Sequence, residues 1–136
     1  MAREWTTNLA VGIKSIDDQH KALFASTNEL LTAMASGAAE TQLPQLLEFL
    51  AKYVVGHFGL EEQYMDRFAY PGAMAHKNQH QAFLREFGAI KAQFDAKGAS
   101  PVLILQVHKR VCDWLVNHIS RTDRLLGDFL KPRMAA

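Results

Sequence analysis

Histidine and carboxylate residues that could bind a metal ion stand at helical spacing in the middle of the chain. His57 and Glu61 are four residues apart, and His76 and His80 repeat this spacing beyond a Pro-Gly turn at residues 71–72. On an α-helix, residues at i and i+4 lie on the same face, so each pair can direct two donor atoms at one point. The sequence therefore predicts two helical ligand pairs, one on each side of the turn.

Four amphipathic segments separated by helix-breaking residues predict four helices, and no strand-like alternation competes with them. A capping-box pattern at Ser15 indicates the first start, and Ser100-Pro101 indicates the last. The predicted boundaries are Ser15 to Gly37, Thr41 or Pro44 to Tyr70, residue 73 to Gly98, and Ser100 to about Gly127, with Pro132 beyond the fourth helix.

Each predicted helix has one apolar stripe that includes the candidate ligands. Gly56 and Gly59 flank His57, and the sequence leaves open whether they permit close helix packing or are merely tolerated. The stripes also contain Leu23, Phe24, Thr27, Leu31 and Met34 in the first helix, Leu46, Leu50, Val54 and Met65 in the second, Met74, Phe83, Phe87 and Ile90 in the third, and Ile104, Val107, Val111 and Leu115 in the fourth.

The candidate ligands alternate between the starts and the ends of these helices. His20 is early in the first helix, and His57 with Glu61 is late in the second. His76 with His80 is early in the third, and His118 with Asp123 is late in the fourth. In an antiparallel bundle with short connections these positions lie at one level. We therefore expect an all-α, up-down-up-down four-helix bundle over residues 15–130, with an ordered N-terminal arm over residues 1–14, in a single domain spanning residues 1–136.

Seven polar side chains at one level of a small core favour a bound cation. A single histidine on an apolar face is more often a hydrogen-bonded core residue. Burying five imidazoles and two carboxylates without compensation, however, costs several kcal/mol or more. The chain has no thiolate near these side chains, and their seven nitrogen and oxygen donors exceed the four ligands of a tetrahedral zinc ion. Imidazole suits iron, and carboxylates bridge two ions readily. If both carboxylates and one solvent oxygen bridge, the imidazoles divide three and two, which leaves one ion with an open position.

Composition argues against several other classes of protein. The formal net charge is +1 with interspersed signs, so we expect no nucleic-acid partner. The first residues lack the apolar core of a signal peptide, and no apolar run approaches the ~20 residues of a membrane span. A single cysteine, Cys112, excludes an internal disulfide and is more typical of a small core residue. These features predict a cytoplasmic chain without membrane insertion.

Four ordered motifs resemble the hemerythrins, most closely the single-domain bacteriohemerythrins. They are Trp5 with VGIKSIDDQH ending at His20, HFGLEE with His57 and Glu61, YPGAMAHKNQH with His76 and His80, and WLVNHISRTD with His118 and Asp123. The match covers nearly the whole chain. The resemblance implies that His76, His80 and His118 hold a six-coordinate iron, that His20 and His57 hold a five-coordinate iron, and that Glu61 and Asp123 bridge them.

The resemblance also implies a function and a cofactor. The family binds dioxygen reversibly at two iron ions (Fe²⁺/Fe³⁺) joined by an oxo or hydroxo bridge. We therefore expect an oxygen carrier, store or delivery protein rather than an enzyme, with dioxygen as the ligand, a possible protein recipient and a monomeric state. Leu115, one turn before His118, and Phe24 are the candidate walls of an apolar oxygen pocket; ordinary core packing is the alternative for both.

Four residues call for separate predictions. Asp123 follows His118 by five positions, which turns it ~140° away on a regular helix, so the helix must bulge or loosen there. Glu62 is expected to face solvent. His108 is expected at the surface or behind the ligands, and Trp114 in the core.

Two other functions use the same centre. A di-iron peroxidase or oxidase is one, but ferritin-like oxidases use two Glu-x-x-His motifs, and here the ligands are mainly neutral imidazoles. Sensing of oxygen or redox state is the other, and it would require a separate output partner.

Overall fold

The computed structural model describes residues 5–37, 39–98 and 100–134, and within that part the chain forms helices and turns without any strand. Helix α1 spans Lys14–Ala35, α2 spans Ala39–Arg67 and α3 spans Ala73–Lys97. A short 3-10 turn, Thr7–Leu9, lies in the N-terminal arm. The prediction of an all-α fold is confirmed. The side chains of Leu31, Met34, Leu46, Ile104 and His108, for which we made predictions, lie outside the described residues.

The fourth helix, residues 101–134, is not α-helical throughout. It consists of α-helical Pro101–Gln106, π-helical Val107–Asp113, α-helical Trp114–Asn117, π-helical His118–Asp123 and α-helical Arg124–Met134. The residues at the junctions keep right-handed helical backbone angles, so the segments form one continuous rod. A π-helical turn adds one residue to the repeat and re-aims the side chains that follow it.

Two apolar clusters divide the core, and the candidate ligands lie between them. The larger cluster contains Leu23, Phe58, Phe83 and Leu115. The smaller one contains Ile16, Met65 and Leu126 together with Val11 and Ile13 of the arm. Along α1 the order is Ile16, His20, Leu23, whereas along α2 it is Phe58, Glu61, Met65. Successive helices therefore run in opposite directions through one polar layer, as the up-down-up-down prediction requires.

The turns between helices agree with the predicted breaker residues. Gly37, after α1, has φ +77° and Gly98, after α3, has φ +72°, a region that glycine adopts without a Cβ penalty. At the start of the fourth helix, the Leu103 N–H donates to the Ser100 hydroxyl at 3.1 Å, which is the predicted N-cap.

The first helix begins within one residue of its predicted start and has an acid in its first turn, but the predicted N-cap role of Ser15 is wrong. Its hydroxyl lies 2.9 Å from the Tyr64 hydroxyl, and α1 begins one residue earlier, at Lys14. Asp17 instead accepts hydrogen bonds from the N–H groups of Val11 and Gly12, at 2.8 and 3.2 Å. The first turn thus uses a carboxylate to hold the arm that precedes it.

The predicted end of the fourth helix is also wrong. The helix continues through Pro132 to Met134, because the smaller cluster needs Leu126 and Leu130, both fully buried. Gly127 is not a helix stop: a Cβ built there would lie 2.3 Å from the carbonyl oxygen of Val11. This glycine lets the arm pass directly over the helix.

Surface positions show two further outcomes. Met74, predicted on the apolar stripe of the third helix, is 78% exposed, because it precedes the buried His76 by two residues and therefore points ~200° away from it around α3. Apart from the neighbouring backbone of α2 itself, no atom lies within 4 Å of a Cβ built at Gly56 or Gly59. These glycines are therefore tolerated rather than required for close packing.

Within the described residues, no helix combines the length and the apolar character needed to cross a bilayer.

Candidate metal centre

The seven predicted ligands lie together in the polar layer and are almost completely buried. Each has an exposed fraction of 4% or less. α1 supplies His20, α2 supplies His57 and Glu61, α3 supplies His76 and His80, and the fourth helix supplies His118 and Asp123. Periodicity explains this convergence for His57 with Glu61 and for His76 with His80, since residues four apart point from one face of a helix into the same layer.

The donor atoms form two groups that share both carboxylates. One group comprises Glu61, His76, His80, His118 and Asp123, and the other comprises His20, His57, Glu61 and Asp123. Within each group the candidate donor atoms lie within 4.8 Å of one another. Such a pair of overlapping groups can hold two cations side by side, with the carboxylates between them.

Asp123 faces both groups with different oxygens. Its Oδ1 lies 3.0 Å from Nε2 of His76 and 3.1 Å from Nε2 of His118. Its Oδ2 lies 2.9 Å from Nε2 of His20. Oε1 of Glu61 lies 3.2 Å from Nε2 of His80, in the first group, and 3.7 Å from Nε2 of His57, in the second. Both carboxylates are therefore placed to bridge.

The donor set fits a bound cation because its polar atoms are buried without satisfactory hydrogen bonds. Among the described residues, both oxygens of Glu61 and Asp123 and the Nε2 atoms of His76, His80 and His118 lack a partner of hydrogen-bond geometry. The short N–O distances are contacts between atoms that point at common centres. Burying such groups unpaired costs ~1–3 kcal/mol or more each. Metal coordination would satisfy them together.

The two carboxylates hold their protons differently. Burial, and next the negative charge of Asp123, raise the pKa of Glu61 well above its usual value. Burial also disfavours ionisation of Asp123, but contacts with His118, His20 and His57 outweigh it, and the pKa of Asp123 lies well below its usual value. In the metal-free fold Glu61 is thus the carboxylate of the pair that keeps its proton to higher pH, and a cation would displace that proton.

Two of the histidines are held neutral. Burial, reinforced by His76 and His118, lowers the pKa of His80 to about 2. Burial is also the main cause that lowers the pKa of His57. A neutral imidazole keeps a lone pair for a metal ion. These two ligands therefore need to lose no proton when a metal binds near neutral pH.

The spacing of His118 and Asp123 is explained by the backbone. The helix is π-helical over His118–Asp123, as the expectation of a loosened helix required. In a π-helical turn the repeat is i to i+5 rather than i to i+4. Asp123 therefore comes under His118 instead of ~140° away.

The sequence prediction missed the outer hydrogen-bond partners of three ligands. Nδ1 of His57 donates to Oε1 of Gln19 at 2.6 Å, and Nδ1 of His118 donates to Oε1 of Gln79 at 2.9 Å. Nδ1 of His80 donates to Oε2 of Glu62 at 2.9 Å. Since each Nδ1 carries the proton, each Nε2 presents its lone pair to the centre.

The prediction that Glu62 faces solvent is therefore wrong. Its side chain is 30% exposed and directed at His80. A signal was present in the sequence: Gln19, Glu62 and Gln79 each adjoin a ligand in the chain. A helical residue next to an inward-pointing ligand is rotated by ~100° and faces the neighbouring helix, where it can meet another ligand's ring.

Leu115 and Phe24, the predicted pocket walls, line one small and mostly apolar cavity, and the seven candidate ligands are not among its lining residues. Leu23, Thr27, Asn28, Cys112 and Val116 also line it. The hydroxyl of Thr27 bonds back to the carbonyls of Leu23 and Phe24, at 3.1 and 3.0 Å, so it leaves the cavity apolar on that side. About 10 Å³ is open to the centre of a water-sized molecule, close to the ~10–15 Å³ needed to hold one. The cavity is therefore of the size of a single very small ligand.

Comparison with known proteins agrees with this geometry. The family model for the "Hemerythrin HHE cation binding domain" matches residues 11–130. The chain is 34% identical over 129 residues to a bacteriohemerythrin of Methylococcus capsulatus, with 95% of this chain and 93% of the relative covered. A hemerythrin-like protein of Naegleria gruberi is 33% identical over 119 residues, with 88% and 86% covered.

A solved structure shows the same architecture. The crystal structure of a wild-type hemerythrin superposes with a TM-score of 0.82 at 31% identity, covering 94% of this chain and 97% of that chain. The match spans the arm-proximal core, the polar layer and nearly the full length of the bundle, and the chain belongs to the hemerythrin family.

Proposed function

We propose that this chain binds two iron ions in its polar layer and uses them to bind dioxygen reversibly, as a carrier, store or delivery protein. The observation that carries the proposal is the sharing of Glu61 and Asp123 between two ligand groups. A single-ion site needs no such overlap. Membership of the hemerythrin family supports iron as the metal.

We assign the ligands according to the two groups. His76, His80 and His118 would serve one iron, and His20 and His57 the other, with both carboxylates and one oxo or hydroxo oxygen between them. The first iron would then have six ligands and the second five. When bound, the iron pair supplies the electrons that reversible dioxygen binding requires.

The chain's own residues set the conditions for that binding. The low pKa values of His57 and His80 keep these rings neutral, so these two ligands add no charge to that of the two carboxylates. Leu115 and Phe24 line the apolar cavity and would exclude water and its protons from the bound ligand. Their position three or four residues from His118 and His20 supports a role as pocket walls.

The donor set supports binding rather than turnover. Five of its seven side chains are imidazoles, whereas ferritin-like di-iron oxidases combine several glutamates with two Glu-x-x-His motifs. We therefore do not assign an enzymatic activity. We further propose that the chain acts as a monomer in the cytoplasm, a reducing compartment that suits a chain with one cysteine, and that it passes oxygen to a protein recipient.

Metal analysis combined with optical spectroscopy tests this function. Reduced, iron-loaded protein should develop a visible absorption band in air, lose it on deoxygenation and regain it over repeated cycles. A matched His118→Ala variant should contain less iron or lack the band. A band that decays promptly while an added substrate is oxidised would refute carriage in favour of an enzyme.

A further inference from the structure

The rings of His80 and His118 are each held by a frame of two side chains, one stacked aromatic ring and one polar partner. The two frames differ in the chemistry of the polar partner. Phe58 stacks on His80 with ring centroids 3.7 Å apart and an interplanar angle of 4°. Trp114 stacks on His118 at 4.4 Å and 12°. In each frame the stacked aromatic ring fixes the plane of the imidazole, and one polar side chain fixes the direction of Nδ1–H. That polar partner is a carboxylate for His80 and an amide for His118.

Glu62 hydrogen-bonds to His80 and does not pair with the nearby cation Lys77, because Lys77 pairs with another carboxylate. Lys77 of α3 lies close enough to interact with Glu62, but its Nζ pairs with Asp66 at 2.7 Å. Phe58 and Glu62 are four residues apart on α2, so they reach His80 from successive turns. The only hydrogen bond of Glu62 among the described residues is to Nδ1 of His80.

The amide frame around His118 is more extensive. Oε1 of Gln79 accepts from Nδ1 of His118 and also from the Thr122 hydroxyl, both at 2.9 Å. A neutral amide oxygen that accepts from two donors attracts the Nδ1 proton of the imidazole less strongly than an ionised carboxylate that accepts from one donor. His80 is therefore expected to be the more electron-rich ligand of the two.

We propose that Glu62 is a positioning residue that orients His80 and, through its charge, favours the more oxidised state of the metal held by His76, His80 and His118. This inference depends on the proposed di-iron site. A carboxylate hydrogen-bonded to a ligating imidazole raises the basicity of the ligand. Its charge also stabilises the state with the greater positive charge on the metal, and it does so more strongly in a buried site than in water.

The decisive test is the reduction potential of the iron-loaded protein. Glu62→Gln keeps the acceptor and removes the charge, so its potential should rise relative to the unaltered chain. Gln79→Glu should lower it. Glu48→Gln is the matched control, because Glu48 lies on the same helix, is 65% exposed and pairs only with Lys52 among the described residues. Its potential should not change.

Titration of the metal-free protein with Co²⁺ tests the orienting role without redox chemistry. Glu62→Ala should weaken one of two Co²⁺ sites by ~10- to 100-fold, and Glu62→Gln should restore most of that affinity. A uniform loss at both sites would instead indicate a general structural role and overturn the orienting part of the inference.

The outcomes separate this inference from the proposed function. Equal potentials for Glu62→Gln and Glu48→Gln would overturn the electrostatic role of Glu62, and the Co²⁺ affinities decide its orienting role separately. If Glu62→Gln does not fold, an unchanged potential in Gln79→Glu would overturn it. If the unaltered chain binds fewer than two metal ions, the proposed di-iron function itself fails.

Discussion

His118 and Asp123 are five residues apart in the fourth helix, yet Nε2 of His118 lies 3.1 Å from Oδ1 of Asp123. The π-helical segment His118–Asp123 makes this contact possible. The same turn leaves Oδ2 of Asp123 facing His20 on the opposite side of the layer, at 2.9 Å. A local change in helical repeat thus gives one carboxylate access to both ligand groups.

Asp123→Asn should therefore reduce metal binding in both half-sites. Asparagine offers one acceptor oxygen and directs an N–H₂ group at the other side, so both groups lose one of the two carboxylates that they share, and only Glu61 is left as an anionic bridge. Iron content measured after anaerobic loading should fall from two ions per chain towards none. Asp128→Asn, at an exposed position of the same helix, is the control and should bind iron normally. Retention of two tightly bound irons in Asp123→Asn would show that Asp123 does not bridge.

Glu61→Gln should change how the stability of the metal-free protein depends on pH. The pKa of Glu61 is raised in the fold, so the fold retains a proton that the unfolded chain releases above its usual pKa. The resulting stability is complete below that value and is lost as the pH rises towards the folded pKa. Glutamine does not titrate. As the pH rises, the free energy of unfolding of the variant should therefore increase relative to that of the unaltered chain, by at most ~1.4 kcal/mol per pH unit.

Urea unfolding of both metal-free proteins between about pH 5 and 7 measures this difference. Parallel pH curves would mean that Glu61 is already ionised in the fold. The iron-loaded forms give an internal check, because coordination removes the proton from Glu61. Their stability should then favour the unaltered chain across the whole pH range.

Leu115→Ala should damage the oxygen pocket beyond its effect on stability. Leu115 is 4% exposed, and its truncation should cost ~2–5 kcal/mol. It should also enlarge the apolar cavity and speed the irreversible oxidation of the oxygenated protein. The decay of the absorption band of the oxygenated protein measures the rate of this oxidation. Leu47→Ala, in the same apolar cluster but not lining the cavity, is the control. Equal decay in the two variants would assign Leu115 to core packing alone.

Gly127→Ala and Gly56→Ala should have opposite effects. At Gly127 a Cβ would lie 2.3 Å from the backbone oxygen of Val11, whereas at Gly56 no atom lies within 4 Å. Thermal unfolding should show Gly127→Ala destabilised as the arm is displaced. Gly56→Ala should gain up to ~1 kcal/mol from helix propensity. A stable Gly127→Ala variant would contradict the close passage of the arm.

Much of the fold was predictable because its signals are local and periodic. Helical spacing of apolar residues gave the four helices, and the alternation of early and late ligands gave their antiparallel order. The spacing of His118 and Asp123 even predicted an irregular turn, which the structure shows as a π-helical segment. In each case a short stretch of sequence contains the whole geometric constraint.

The failures arose where a contact between distant segments decides the outcome. The fourth helix runs through Pro132 because Leu126 and Leu130 cover the arm, and no local signal near Gly127 reports that packing. Helical phase alone predicts that Glu62 faces solvent, although His80 of α3 lies within hydrogen-bond reach. Phase on one helix does not show which group the next helix presents.

Diffraction from crystals of the anaerobically iron-loaded protein, recorded at the iron absorption edge, tests the central claim most directly. The account predicts two anomalous peaks between Glu61 and Asp123, one next to His76, His80 and His118 and the other next to His20 and His57. A single peak, or peaks away from these side chains, would contradict it.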